Sequence, residues 1–188
     1  KIVDANVTLA KLSATGTKNS TTFLRGDNTF NAPPLGGITE ADQWRLTADI
    51  SNPSGDISSN LERVDDATFA KIGTGMTESS GIYTFPSTGL YLVTLITQTT
   101  AINDAAMVVT MQSSSNSGTS YDDIANSMSG IASGSINVTM SIGTFVNVTN
   151  ASTFRVKFAS SSFASGTLKG DTSKTETGFT FIRLGDSQ

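Results

Sequence analysis

Between Leu90 and Ile96 the chain reads LYLVTLI, so both phases of a two-residue repeat are apolar. In an extended strand successive side chains point to opposite faces. Tyr91, Val93 and Leu95 therefore face one way, and Leu90, Leu92 and Ile96 the other. The interior of one sandwich accepts only one of these sets. Full burial of a Leu or Ile contributes roughly 1.5–3 kcal/mol, so a second set left in water forfeits several kcal/mol and forms an adhesive patch. Such a strand asks for two apolar environments, one inside its own domain and one outside it. A subunit interface is the economical choice for the second.

The neighbouring segments set the fold class. WRLTADI (44–50), LERV (61–64), TFAKI (68–72), GIYTF (81–85) and LYLVTLITQ (90–98) are strand candidates, as are AMVVTM (106–111), INVTMSI (136–142), TFVNV (144–148), FRVKF (154–158) and GFTFIRL (178–184). In FRVKF the aromatics and Val156 face one way and Arg155 and Lys157 the other, the mark of a strand with one buried face. From Gly37 to Leu184 no 3.6-residue period persists over three turns. Ser and Thr number 54 of 188 residues while charged residues are 15%, so polarity is carried by hydroxyls, as on a sheet surface. The expectation is an all-β sandwich or jelly roll of about ten antiparallel strands. SSSNSGTS (113–120) and SSSFASG (160–166) read as mobile loops.

Several classes of chemistry are removed by composition. The chain has neither Cys nor His, which takes away disulfides, thiolate chemistry, the commonest zinc ligands and the usual proton shuttle. A net charge of -4 offers no basic field for nucleic acid and none for anionic membranes, and no apolar run approaches the ~20 residues of a membrane span. Opening at Lys1 without a leader pattern, the sequence reads as an excised fragment. An enzyme would have to work with carboxylates alone. Asp65 with Asp66, and Tyr121 with Asp122 and Asp123, are the local clusters. A calcium site needs six to eight oxygens and a glycosidase needs two acids facing across a groove. Solvated loop charge is the expected role of both clusters, with no catalysis, cofactor or metal. Exposed aromatics beside loops can also read sugars. Trp44 is expected in the core and Tyr121, next to a Ser-rich loop, at the surface. GTGMTESSG (73–81) lacks phosphate-loop spacing. The Asn-x-Ser/Thr triplets at Asn6, Asn19, Asn137, Asn147 and Asn150 follow from the abundance of Ser and Thr.

Residues 1–37 differ from the rest: isolated aliphatics (Ile2, Val7, Leu9, Leu12), a Ser/Thr/Gly stretch, then Pro33, Pro34, Gly36 and Gly37. Asp4 could cap one helical turn through Leu12, and Val and Thr there suit an extended form equally. TTFL and TF flank RGDN, which predicts a tight hairpin with Arg25 to Asn28 at its tip, and the two prolines force an extended exit. A hairpin so short is marginal alone, so Phe23, Leu24 and Phe30 need another surface to bury against. Arg25, Gly26 and Asp27 spell a cell-adhesion tripeptide, yet the composition of a turn already accounts for them.

GIYTFPSTGLYLV followed later by TGFTFIRLGD resembles the signature of the jelly-roll family shared by tumour necrosis factor and the globular head of the complement recognition subcomponent. Phe85, Pro86, Gly89 and Tyr91 match its first part, Gly178 and Phe179 its second, and the likeness spans roughly 68–184. It implies a ten-stranded jelly roll that trimerises about a threefold axis, with Leu90, Leu92, Thr94 and Ile96 toward the axis, joined by Thr180 and Ile182 of the last strand. VTLAKLSATGTKNSTTFLRGDNTFNAPP resembles linker segments of bacteriophage tail-fibre proteins, and QWRLTADI with SNLERVDD resembles head domains of marine-phage fibres. Together these imply a homotrimeric virion fibre, made in the bacterial host cytoplasm. Residues 1–37 would be a shaft in which Phe23, Leu24 and Phe30 meet their symmetry mates, and 38–188 a jelly-roll knob. Its expected partners are upstream virion or tail proteins and a host surface glycan or protein, contacted through loops 99–105, 112–123 and 159–175 and through Tyr121, Asp122 and Asp123. A purely structural virion component and a secreted ligand of the tumour necrosis factor type are the alternatives.

Overall fold

The RGDN tetrapeptide closes a hairpin in a computed structural model of the chain, which describes residues 13–32 and 37–188. Strands β1 (Phe23–Leu24) and β2 (Phe30–Asn31) pair antiparallel with Leu24 opposite Phe30. The Arg25 N–H donates to the Thr29 carbonyl at 2.8 Å and the Asn28 N–H to the Arg25 carbonyl at 3.1 Å, while Asn28 sits at φ 59°. A type I turn followed by one left-handed residue is a standard three-residue hairpin loop, and Asn tolerates that last position. Asp27 Oδ1 accepts the Thr29 amide at 3.1 Å and its hydroxyl at 2.6 Å, so the aspartate of the tripeptide serves the turn. Thr15 adds a parallel bridge to Thr29. The helical turn considered from Asp4 and the exit at Pro33 and Pro34 lie outside the described residues. This hairpin belongs to the first of two compact units, Lys1–Gly37 and Ile38–Gln188.

The second unit is a sandwich of two antiparallel sheets, and among the described residues there is no helix. Its strands are β3 (Ala41–Leu46), β4 (Ile50–Ser51), β5 (Gly55–Asp56), β6 (Leu61–Arg63), β7 (Thr77–Ser79), β8 (Ile82–Thr84) and β9 (Gly89–Ile102). They continue as β10 (Met107–Ser114), β11 (Asp122–Ser129), β12 (Ser135–Val148), β13 (Arg155–Ser161), β14 (Thr167–Leu168) and β15 (Gly178–Gly185). One sheet runs β11-β10-β13-β8-β7, with β5 also on β13. The other runs β4-β14-β9-β15-β3-β6, and β12 pairs with β9 along its whole length. Ser80 and Gly81, both at positive φ, make the two-residue β7–β8 turn. A Cβ on Gly81 would stand 2.4 Å from the Ile57 carbonyl oxygen, so only glycine fits there.

Between the sheets lies an aromatic core. Tyr83 meets Trp44 edge-on at 5.6 Å and Phe181 at 5.0 Å, and Phe158 meets Phe179 at 4.6 Å, distances at which offset and edge contacts add to area burial. β9 contributes Tyr91, Val93 and Leu95, all buried. Some expected boundaries change. INVTMSI and TFVNV form one strand, because Gly143 stays in the ladder opposite Thr94. TFAKI is not a strand: residues 66–69 turn, closed by the Phe69 N–H on the Asp66 carbonyl, and only Ile72 bridges to Ala41. The Ser-rich stretches are partly strand too, since β10 runs to Ser114 and β13 to Ser161. Turn 115–121 is held by its own groups. Ser114 Oγ receives the Gly118 N–H at 3.0 Å, and Asn116 Oδ1 receives the Ser120 N–H at 3.1 Å.

Asp104 organises one end of the sandwich. It is buried, and its carboxylate accepts backbone N–H groups from Ala164, from Ser165 at 3.1 Å and from Ile102 at 3.2 Å, while its carbonyl accepts Ile131 N–H at 2.6 Å. Burial alone would raise its pKa; the amides of Ala164, Ile102, Ser165 and Gly166 outweigh that and hold it below the ordinary aspartate range. A depressed carboxylate stabilises the fold above its unfolded-state pKa and loses that contribution as pH falls through the folded-state value. Asp104→Asn is therefore expected to cost about 1.5–3 kcal/mol in urea unfolding at neutral pH. The gap should close as the pH falls below the ordinary aspartate range, whereas a pH-independent gap would show that the charge is not what matters.

Candidate functional site

The outer face of the β9 sheet is built in rows by the strand register. Phe145 of β12, Leu92 of β9, Ile182 of β15 and Ala41 of β3 stand side by side. The next row is Gly143, Thr94, Thr180 and Gln43, and the one beyond is Ser141, Ile96, Gly178 and Arg45. Leu90, Leu92, Thr94, Ile96, Thr180 and Ile182 are thus brought to one face, opposite in phase to Tyr91, Val93 and Leu95. Ile96 is 50% exposed, and the others are half-buried.

Two members of this face did not stand out in the sequence. Phe145 is 62% exposed, and Leu184, at a bulge between Arg183 and Gly185, is 51% exposed. In TFVNV alone nothing says whether Phe145 or Val146 turns inward; the pairing of Phe145 with Leu92 decides it. No charged residue occurs anywhere in β9 or β12. The band is bounded at one end by Gln98, Thr139 and the Thr100–Asn137 hydrogen bond of 3.0 Å. At the other end Asn147 pairs with the Gln188 backbone at 2.7 and 3.0 Å. On β9 and β12 the outward positions carry no charge and are rimmed by amides and hydroxyls, as in an interface core, while Arg45 at the β3 end of the last row is fully buried. In the first unit Phe23 and Leu24 are exposed on opposite sides of β1, and the Phe30 ring lies 5.8 Å from Lys18 Nζ.

The carboxylate clusters have other occupations. The fully buried guanidinium of Arg45 donates through Nε to Glu62 at 2.7 Å, through Nη2 to Asp65 at 2.7 Å and through Nη1 to Asp66 at 2.8 Å; it also reaches the Thr172 carbonyl. Burial works against its charge, and the Glu62 hydrogen bond with the Asp66 charge more than compensates, leaving its pKa raised. Asp65 is 76% exposed, so the cluster is a lid over one cation near the surface. Asp122 and Asp123 open β11 and are exposed, with Asp123 accepting Gln112 Nε2 at 2.6 Å. Tyr121 does not stand free as expected. It is half-buried because Lys157 Nζ caps its ring at 4.3 Å and the Gly118 turn backs onto its hydroxyl. Of the loops expected to carry recognition, 99–102, 112–114, 122–123, 159–161 and 167–168 are strand.

The remaining motifs have local explanations. Gly75 donates its N–H to Glu40 at 2.9 Å and Met76 to Asp42 at 2.8 Å; a Cβ on Gly75 would approach Asp42 Oδ2 to 2.8 Å. GTGMTESSG is thus shaped to lie against two acids of this chain. Asn19 and Asn150 use Oδ1 to accept both the amide and the hydroxyl two residues on, at Thr21 and Ser152, an Asx turn that needs the triplet's third residue. Asn137 and Asn147 are strand residues, and Asn6 is outside the described residues.

No protein-family model matches the chain, and no curated protein matches its sequence. Solved structures do match in fold. Eiger TNF from S. frugiperda superposes with a TM-score of 0.63 over 79% of this chain and 94% of that one, at 12% identity. Murine APRIL at pH 5.0 gives 0.55 over 77% and 98%, at 11% identity. The fold is a jelly roll of the tumour necrosis factor type.

Removing the cation beneath the Glu62–Asp65–Asp66 lid leaves three like charges together. Arg45→Ala is expected to lower stability by ~3 kcal/mol in urea unfolding; a loss below ~1 kcal/mol would mean that solvent already neutralises the cluster.

Proposed function

We propose that this chain is a non-enzymatic, homotrimeric attachment module whose three copies meet through the charge-free band of β9, β12 and β15. The observation that carries this is the exposure of Phe145, Ile96 and Leu184 on a sheet face whose other side is already a complete core. The band is continuous over three strands, and leaving it in water has no compensation within one chain. Three weak sites held rigidly act by effective concentration, which raises avidity by 10²–10⁴ without any new contact. The carrier we propose is a bacteriophage virion: residues 1–37 form a trimeric shaft, with Phe23, Leu24 and Phe30 turned to their mates, and 38–188 form a knob that contacts a host surface glycan or protein. The sequence likeness to phage fibre linkers supports that carrier, as does a hairpin that leaves Phe23 and Leu24 exposed.

A second reading, a secreted ligand of the tumour necrosis factor type, has the fold comparisons in its favour, because the neighbours found are a TNF and APRIL. It shares the trimer and the receptor and differs in the cell that is bound. A purely structural virion part shares the trimer and lacks the receptor.

Adsorption separates the three. The wild-type chain is expected to adsorb to bacterial host cells, and Leu92→Asp, which places three charges at the centre of the band, to adsorb at least ~100-fold more weakly while staying folded. Adsorption to animal cells alone would favour the ligand reading, and adsorption to neither would leave the structural one.

A further inference from the structure

Gly143 sits in the middle of β12, in an antiparallel ladder with β9 that runs through it without a change of register. Glycine weakens a strand interior, because it brings no side chain to pack and loses the most freedom on folding, so its presence there asks for a cause. Neither usual cause operates within this chain. Its φ is not positive, and a Cβ built on it would meet only the Thr94 methyl, at 3.3 Å, and the Val93 carbonyl oxygen, at 3.9 Å. A threonine methyl on an outer sheet face can give way by a few tenths of an ångström. Gly178 of β15 shows the contrast, since its Cβ would clash with Thr175 of its own chain. A glycine that the strand's own geometry does not require marks a close approach from outside.

What the glycine leaves is a gap in the outward relief of the sheet. Its row continues with Thr94 and Thr180, while the row on one side carries Phe145, Leu92 and Ile182 and the row on the other carries Ile96. Walls four residues apart along a strand are separated by about 13 Å, which leaves room for one aromatic ring between them. A ring of that size stands on the same strand. Phe145 is 62% exposed, the most exposed large apolar side chain of this face, ahead of Leu184 and Ile96. Strand side chains stand roughly perpendicular to the sheet, so Phe145 is a wall of its own chain's gap and can fill only another's.

We infer that the Phe145 ring of one copy seats over Gly143 of the next, between Leu92 and Ile96 and against the methyls of Thr94 and Thr180. Each copy then offers one knob and one hole on the same face, a head-to-tail contact of the kind that closes into a ring. Gly143 is the position that determines partner choice. A side chain there fills the hole that the neighbour's ring needs, while the chain's own fold is unharmed, so the face accepts a copy that carries the glycine and rejects one that does not. The inference rests on the proposed trimer and names the contact by which that trimer recognises a second copy of this chain.

Native mass spectrometry over a dilution series tests this with Gly143→Val and Phe145→Ala. Each is expected to raise the concentration at which half the chains are trimeric at least ~10-fold. An equimolar mixture of the two should form mixed trimers, resolved by mass, at concentrations where neither variant assembles alone, because Phe145 of the Gly143→Val copy finds the open Gly143 of the Phe145→Ala copy. In a Leu92→Asp background, where charge keeps the copies apart, adding Gly143→Val should leave the urea midpoint equal or higher, as valine suits a strand better than glycine. A Gly143→Val trimer as tight as wild type, a mixture no better than its components, or a lower urea midpoint in that background would each overturn the contact and leave the trimer standing. A wild-type dimer that both variants dissociate would do the reverse, and a wild-type monomer would sink both.

Discussion

One β-strand serving two apolar environments governs this structure. The inward set of β9 (Tyr91, Val93, Leu95) packs against an aromatic core contributed by β3, β8, β13 and β15, while the outward set continues sideways into Phe145 and Ile182. Because side chains alternate, neither set can be satisfied by moving the strand. A one-residue slip merely exchanges them. In the proposed trimer the second environment comes from outside the chain, and no charge on β9 or β12 opposes it.

Buried charges then fix the loops around that framework. Arg45, Asp42 and Asp104 are buried, and each is surrounded by partners from segments distant in sequence: the 62–66 turn and residue 172 for Arg45, the 63–76 region for Asp42, and 131 with 164–166 for Asp104. An unpaired buried charge costs far more than a paired one, so these residues specify where irregular backbone lies. The same arithmetic explains why acids that resemble metal ligands in the sequence are occupied elsewhere. Asp65 and Asp66 stand together because one arginine lies beneath them.

What could be read in advance follows from which interactions are local. The phase of LYLVTLI and the RGDN turn are encoded within a few residues, and both were legible. β11 was not, since DDIANSMS pairs through one edge only and exposes most of its side chains, leaving no apolar alternation to detect. TFAKI carries the right composition for a strand and turns instead, because Asp65 and Asp66 are drawn to Arg45. Phe145 and Leu184 complete the outer face through register and a bulge, neither of which composition records.

The central claim concerns the outward set. Native mass spectrometry of the intact wild-type chain at micromolar concentration tests it most directly. A species of three chain masses that survives dilution, with no monomer, is the predicted result. A folded monomer at every concentration would contradict the account, since Leu92, Ile96 and Phe145 would then rest in water with nothing to cover them.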